Sequence, residues 1–406
     1  MIFEKLCFEM KSNFELLDLK RPKNISTFVQ NVIETIVSMT LTRYDSSSGC
    51  KLAALFDLFV SCEYYGSIAN RGWTYCPSYP NMLLYAYTNT CPRCLGNATF
   101  VYTKANKPES GQIGMITTEI LCEMLIATFK HRGRNVQIYK ASEPVDVLVY
   151  EPKTNLMVAA EVKAAPLFTI PLGCICEKIT EEIDGVLVDS DHSITDNPFV
   201  RNSELFLFFP KTTKHAENKF TLDIDWYRES PFFDAICKLI KKNKNFLDFY
   251  FSYWNEAYVA YEHKERSNAI YWLTNACGLP TPRPDNWPRR RSGGYETISD
   301  AKTSVGMDRT DDIKKGIYQV LKLGAEYKPE FENIKTALIS NIHAIRHHHE
   351  YLQCIKDIIW TIDESRKISD WTQLPVGTPL YNLFDGIIAF THSDIRDAQL
   401  DSLFKF

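Results

Sequence analysis

Two carboxylates and an ammonium group share the stretch PVDVLVYEPKTNLMVAAEVKAAP, residues 144–166. Asp146 opens one short apolar run, and Glu161 and Lys163 close the next. Residues two apart on a strand leave the same face, so Glu161 and Lys163 point the same way. The segment EPKTN (151–155) between the runs reads as a hairpin turn, which brings Asp146 back beside Glu161. Carboxylates on adjacent strands can hold a hard divalent ion such as Mg²⁺ through oxygen ligands. A metal held there lowers the pKa of a bound water and stabilises charge on a phosphate under attack. Lys163 stands where it could orient that water and offset phosphate charge. Charge inside a buried strand is expensive, so a charged pair ending the run Leu156–Ala160 points to a site more than to packing. The bland alternative is a surface hairpin whose Glu–Lys pair contributes little stability.

These residues resemble the PD-(D/E)xK nuclease superfamily. Pro144-Val145-Asp146 stands for the PD element with one inserted residue, and Glu161-Val162-Lys163 stands for ExK, fifteen residues after the Asp. A helix expected over Thr118–Phe129 precedes them, as in the family's helix, hairpin and ExK strand. The resemblance implies an acidic residue on that helix near the metals. Glu119 matches best, and Glu123, one turn on, is second choice. The continuation EVKAAPL looks like type II restriction endonucleases. The detailed likeness covers residues 111–210 and leaves the other three hundred unaligned.

A rival lies further along. Pro284-Asp285 is followed fifteen residues later by Asp300-Ala301-Lys302, ahead of a helix carrying Lys315 and Gln319. Its strand, YETISDAKT, is less apolar, and a Pro/Arg loop precedes it. A separate chemistry is suggested by Cys91-Pro-Arg-Cys94, with Cys76 and Cys62 upstream. Four thiolates would close a tetrahedral Zn²⁺ site that stabilises a small loop-rich region. The set departs from a paired CxxC pattern, since Tyr79 stands where a second cysteine after Cys76 belongs. Buried free thiols are the alternative. Cys174 and Cys176 are expected to pack as small apolar residues.

Arg289, Arg290 and Arg291, ahead of a Ser-Gly-Gly turn, form a cationic loop that could bridge DNA phosphates. Lys302, and Arg309 before a helix start, are weaker candidates for DNA contact. His343 and His347 are i,i+4 on an expected helix, without the carboxylate signature of a metal site. The aromatic stretch 226–275 is expected to be core.

Strands are expected over Val136–Tyr139, Asp146–Tyr150, Met157–Lys163 and Glu204–Phe209. Helices are expected over Thr27–Thr40, Lys51–Val60, parts of 231–275, Asp311–Leu323 and most of the last 80 residues. The fold class that follows is α/β. The resemblance implies a restriction-endonuclease-like core, a central mixed sheet flanked by helices, with a Cys-rich N-terminal region and a largely helical C-terminal part. Residues 1–105 hold the cysteine group, 106–215 the catalytic core, and 216–406 a mostly helical part for DNA binding and dimerisation that can complete the core.

With 46 Lys+Arg against 50 Asp+Glu, the chain lacks the basic excess of a bulk nucleic-acid coat protein. A local basic cleft remains compatible with that balance. No run of 18 uncharged apolar residues and no signal-like start is visible, so no membrane partner and a cytoplasmic setting are expected; the resemblance implies a prokaryotic cell. No GxxxxGK[ST] loop appears, so no nucleotide cofactor is expected. The expected function is that of a Mg²⁺-dependent type II restriction endonuclease of a restriction-modification pair. It would cut double-stranded DNA at a specific site, and the resemblance implies a homodimer. The alternatives are a superfamily nuclease of repair or recombination, and a zinc-containing DNA-binding protein without catalysis.

Overall fold

The computed structural model describes residues 25–44, 48–67, 74–76, 78–85, 87, 90–101, 110–140, 145–175, 180–183, 186–189, 203–274, 305–308, 310–331, 333–345, 347–355, 358–361 and 374–406. The helices are α1 (Thr27–Tyr44), α2 (Ser48–Ser67), α3 (Pro92–Gly96), α4 (Ser110–His131), α5 (Pro231–Lys242), α6 (Phe246–Glu262), α7 (Thr310–Tyr327) and α8 (Ala398–Phe404). The strands are β1 (Thr74–Cys76), β2 (Tyr79–Tyr85), β3 (Gln137–Lys140), β4 (Val147–Glu151), β5 (Leu156–Val162), β6 (Leu172–Ile175), β7 (Thr180–Ile183), β8 (Val186–Asp189), β9 (Leu205–Phe209), β10 (Asn218–Thr221), β11 (Ile334–Ser340), β12 (Ile359–Trp360), β13 (Tyr381–Asn382), β14 (Gly386–Ala389) and β15 (Asp394–Ile395). They form two compact units. Leu121–Ala164 joins Gly306–Phe406 in the first, and Ser26–Ile120 joins Ala165–Val305 in the second.

The first unit holds a six-stranded mixed sheet in the order β15-β14-β11-β5-β4-β3. The chain enters it from α4, whose run of strong helix formers stops at Gly133. That glycine takes φ +66, Arg134 N–H bonds Phe129 C=O, and Gly133 N–H bonds Lys130 C=O. This pair of bonds closes a helix whose next residue must be left-handed, where glycine is least strained. β3, β4 and β5 then run as an antiparallel meander. Asn155, at φ +52, makes the left-handed step of the β4–β5 turn, as the EPKTN reading requires. Every residue of β5 is buried. That explains its unbroken apolar run, because a central strand is covered on both faces.

β11 pairs parallel to β5, and parallel neighbours need a long crossover. α7 packs on both strands. Leu323 and Tyr327 lie against Leu148, Met157 and Ala159, while Ile313 and Val320 lie against Leu338 and Ile387. Gly324 allows the close approach, since a Cβ there would stand 2.6 Å from the Leu383 carbonyl oxygen. Below the helix, buried Lys328 donates to Asp385 Oδ2 at 2.5 Å, and the same oxygen accepts from Thr336 N–H at 2.7 Å.

The second unit has an antiparallel sheet, β1-β2-β6-β9-β10, with α1, α2, α5 and α6. Tyr250, Tyr253 and Trp254 of α6 are buried, as expected of core aromatics. Buried Asp57 of α2 accepts from Leu167 N–H, Phe168 N–H and Trp254 Nε1 at 3.2, 3.0 and 2.6 Å.

Two expectations need correction. The last 80 residues are not mostly helical, because IKTALIS and GIIA are strands β11 and β14. Short buried apolar runs carry no periodicity that separates strand from helix. The boundaries at 105 and 215 also differ from the units, because β5 finds its parallel partner beyond residue 330. Helix α4 over Gly111–His131 is long and apolar enough to cross a membrane, and 67% of its most apolar window is buried in the fold.

Candidate active site and cysteine group

The β4–β5 register pairs Val147 with Ala160, so Asp146 falls opposite Glu161 one step further on. Cross-strand neighbours on one face are in side-chain contact. Asp146 Oδ2 accepts from Val162 N–H at 2.9 Å, which ties the carboxylate to the β5 backbone. Glu161 accepts a hydrogen bond from Lys163 Nζ. Met157, Ala159, Glu161 and Lys163 alternate onto the face that α7 covers. The Lys163 stem accordingly lies 3.6 Å from where a Cβ on Gly316 would stand. The carbonyl of Lys163 accepts from Ser340 Oγ at 2.8 Å, and its N–H donates to Ile339 C=O at 2.9 Å. Gly306, at φ +45, packs so close that a Cβ would stand 3.0 Å from that carbonyl.

Burial raises the Glu161 pKa to about 7, the Asp146 charge adds to the rise, and Lys163 opposes it. A carboxylate this buried, with a second acid opposite it, resists ionising. A divalent cation relieves that repulsion, so the donor set suits a hard metal ion on the Asp146 and Glu161 oxygens.

Helix α4 carries both acids proposed to assist. Glu119 is buried among residues of the second unit, where its charge raises the pKa of Glu63 after burial has done so. Glu123 is also buried and falls in the first unit with Asp146. Arg289, Arg290, Arg291, Lys302 and Arg309 lie outside the described residues, as do Asp285 and Asp300 of the rival pair, Pro144 and Cys176. His343 is not on a helix with His347. It follows β11, and its ring meets those of His348 and His392 at centroid distances of 4.9 and 5.3 Å.

In the second unit, Cys76, Cys91 and Cys94 form a buried group that could hold a metal ion such as zinc. Cys62, expected as a fourth ligand, is buried in α2 and stands outside that group. Its place on a long apolar helix makes it a packing residue. Cys174 packs within β6, as expected.

Gly306, Gly316 and Ser340 were not singled out from sequence, although they shape the floor of the Lys163 end. Gly316 did leave a signal, since a glycine inside an expected helix asks for a packing reason.

No protein-family model, no curated protein and no solved structure matches the chain. The chemistry of the site therefore carries the functional argument.

Proposed function

We propose that the protein is a Mg²⁺-dependent DNA endonuclease of the PD-(D/E)xK kind, acting as a type II restriction enzyme. The observation that carries this reading is the Asp146–Glu161 pair, set opposite each other by the β4–β5 register at the end of a buried strand, with Lys163 bonded to Glu161 on the same face. The order α4, β3-β4-β5 meander, α7 and parallel β11 gives further support, since it matches a helix, hairpin and ExK strand followed by a helical crossover.

When bound, Mg²⁺ would polarise the phosphate and acidify the attacking water. Asp146 and Glu161 would hold it, with Asp146 kept in place by Val162 N–H. Lys163 would hold the water in line with phosphorus and counter charge on the phosphate oxygens. The P–O3′ bond breaks as the water oxygen bonds phosphorus, leaving a 5′-phosphate and a 3′-hydroxyl.

The test is a digest of DNA of known sequence by the full chain with Mg²⁺, with run-off mapping of the ends. Discrete fragments are expected. A smear would move the reading to a less specific nuclease of repair or recombination. DNA binding with no cleavage would favour a binding protein and overturn the proposal. Asp146→Ala and Lys163→Ala should each lower cleavage by at least about a hundredfold while DNA binding persists. Full activity in either variant would also overturn it.

A further inference from the structure

The sulfurs of Cys76, Cys91 and Cys94 face one another in the interior of the second unit. Cys76 Sγ lies 3.6 Å from Cys91 Sγ and 3.8 Å from Cys94 Sγ. A zinc–thiolate bond of about 2.3 Å in tetrahedral geometry sets sulfur atoms about 3.8 Å apart. A disulfide needs about 2.0 Å, so these thiols are not a bonded pair. Simple packing can bring two sulfurs to such a distance. It gives no reason for three to share one centre.

A polar contact supplies a second argument. Ser78 Oγ lies 3.1 Å from Cys94 Sγ, within hydrogen-bond reach of the sulfur. A neutral thiol is a weak acceptor, whereas hydrogen bonds to a charged group are stronger. A hydroxyl set against the sulfur therefore suits a thiolate.

The local chain supplies a third. β1 has three residues and a register shift between Tyr75 and Cys76. α3 has five residues, and Ala98 beyond it sits at φ +57, a strained position for a side chain. Cys91 N–H bonds Val101 C=O and Thr99 N–H bonds Cys94 C=O, so the turn is folded around the two cysteines. Short irregular segments of this sort are what a structural metal stabilises.

We infer that Cys76, Cys91 and Cys94 bind one zinc ion as thiolates, which clasps the β1–β2 hairpin to the turn and helix that follow Cys91. Among the described residues no fourth cysteine or histidine joins the group, and Cys62 is not a ligand. This site is independent of the nuclease reading.

The experiment measures zinc in the full chain, purified without chelators from zinc-supplemented medium. One zinc per chain is expected, lost in Cys91→Ser and Cys94→Ser and kept in Cys62→Ser. Serine variants can misfold for other reasons, so the wild-type chain is also titrated with a mercurial while a dye reports released zinc. Mercuration of these three thiols should release one zinc. Cobalt in place of zinc should give thiolate-to-cobalt charge-transfer bands with strong tetrahedral absorption. A zinc-free wild-type chain would overturn the inference, and so would zinc lost in Cys62→Ser but kept in Cys94→Ser.

Discussion

At the scale of single residues, Glu161 shows how burial and a neighbouring acid hold a carboxylate back from ionising. Burial removes the water that would screen its charge, and the Asp146 charge adds to the cost. Lys163 supplies one positive charge and still leaves Glu161 at about 7. His343 shows the same physics with the opposite sign. Burial first, then His348 and His392, push its pKa from 6.5 down to about 4, against the pull of the Ala344 carbonyl and Asp394. The unfolded chain therefore takes up a proton near pH 6.5 that the folded chain refuses until about 4. Stability conferred by the neutral ring is complete above the upper value and falls as pH drops through this window. The loss amounts to at most about 3 kcal/mol. Urea midpoints measured across the window should fall toward acid, and His343→Phe should flatten that slope. An NMR titration showing the ring protonating near 6.5 would contradict this.

At the scale of elements, the site depends on how β5 is gripped. Its register with β4 sets Asp146 opposite Glu161, and its parallel pairing with β11 fixes the strand end under Lys163. The Lys328–Asp385 pair anchors the entry of β11, because Asp385 also takes the Thr336 N–H. Both groups are almost fully buried. Lys328→Met removes the cation and leaves the carboxylate behind. A loss of about 3–5 kcal/mol is expected in chemical denaturation, since an uncompensated buried charge is costly. A change within about half a kcal/mol would show that the pair is structurally idle.

At the scale of the molecule, the sheet that carries the candidate site is assembled from distant stretches. β3, β4 and β5 come from the middle of the chain, while α7, β11, β14 and β15 come from beyond residue 305. A fragment of residues 106–215 keeps Asp146, Glu161 and Lys163 but loses the strand and helix that bury β5. Its circular dichroism should lack a cooperative thermal transition, and it should cleave nothing. A folded, active fragment would refute the dependence on the C-terminal strands. The restriction-enzyme proposal carries its own expectation at this scale. Two chains should sit on one palindromic site, which sedimentation of the DNA complex would reveal.

The residues by themselves determined the local geometry of the site. Period-two alternation and a five-residue turn were enough to put Asp146, Glu161 and Lys163 together, because a hairpin is closed by neighbours in sequence. The CPRC turn was legible for the same reason. Only the tertiary structure decided what lies beside β5, which cysteines meet, and which unit each segment joins. Parallel pairing between β5 and β11 spans more than 170 residues and leaves no local pattern. Cys62 and Cys76 look equally eligible along the chain. A long apolar helix takes one as packing, and a bulged strand turns the other onto Cys91 and Cys94.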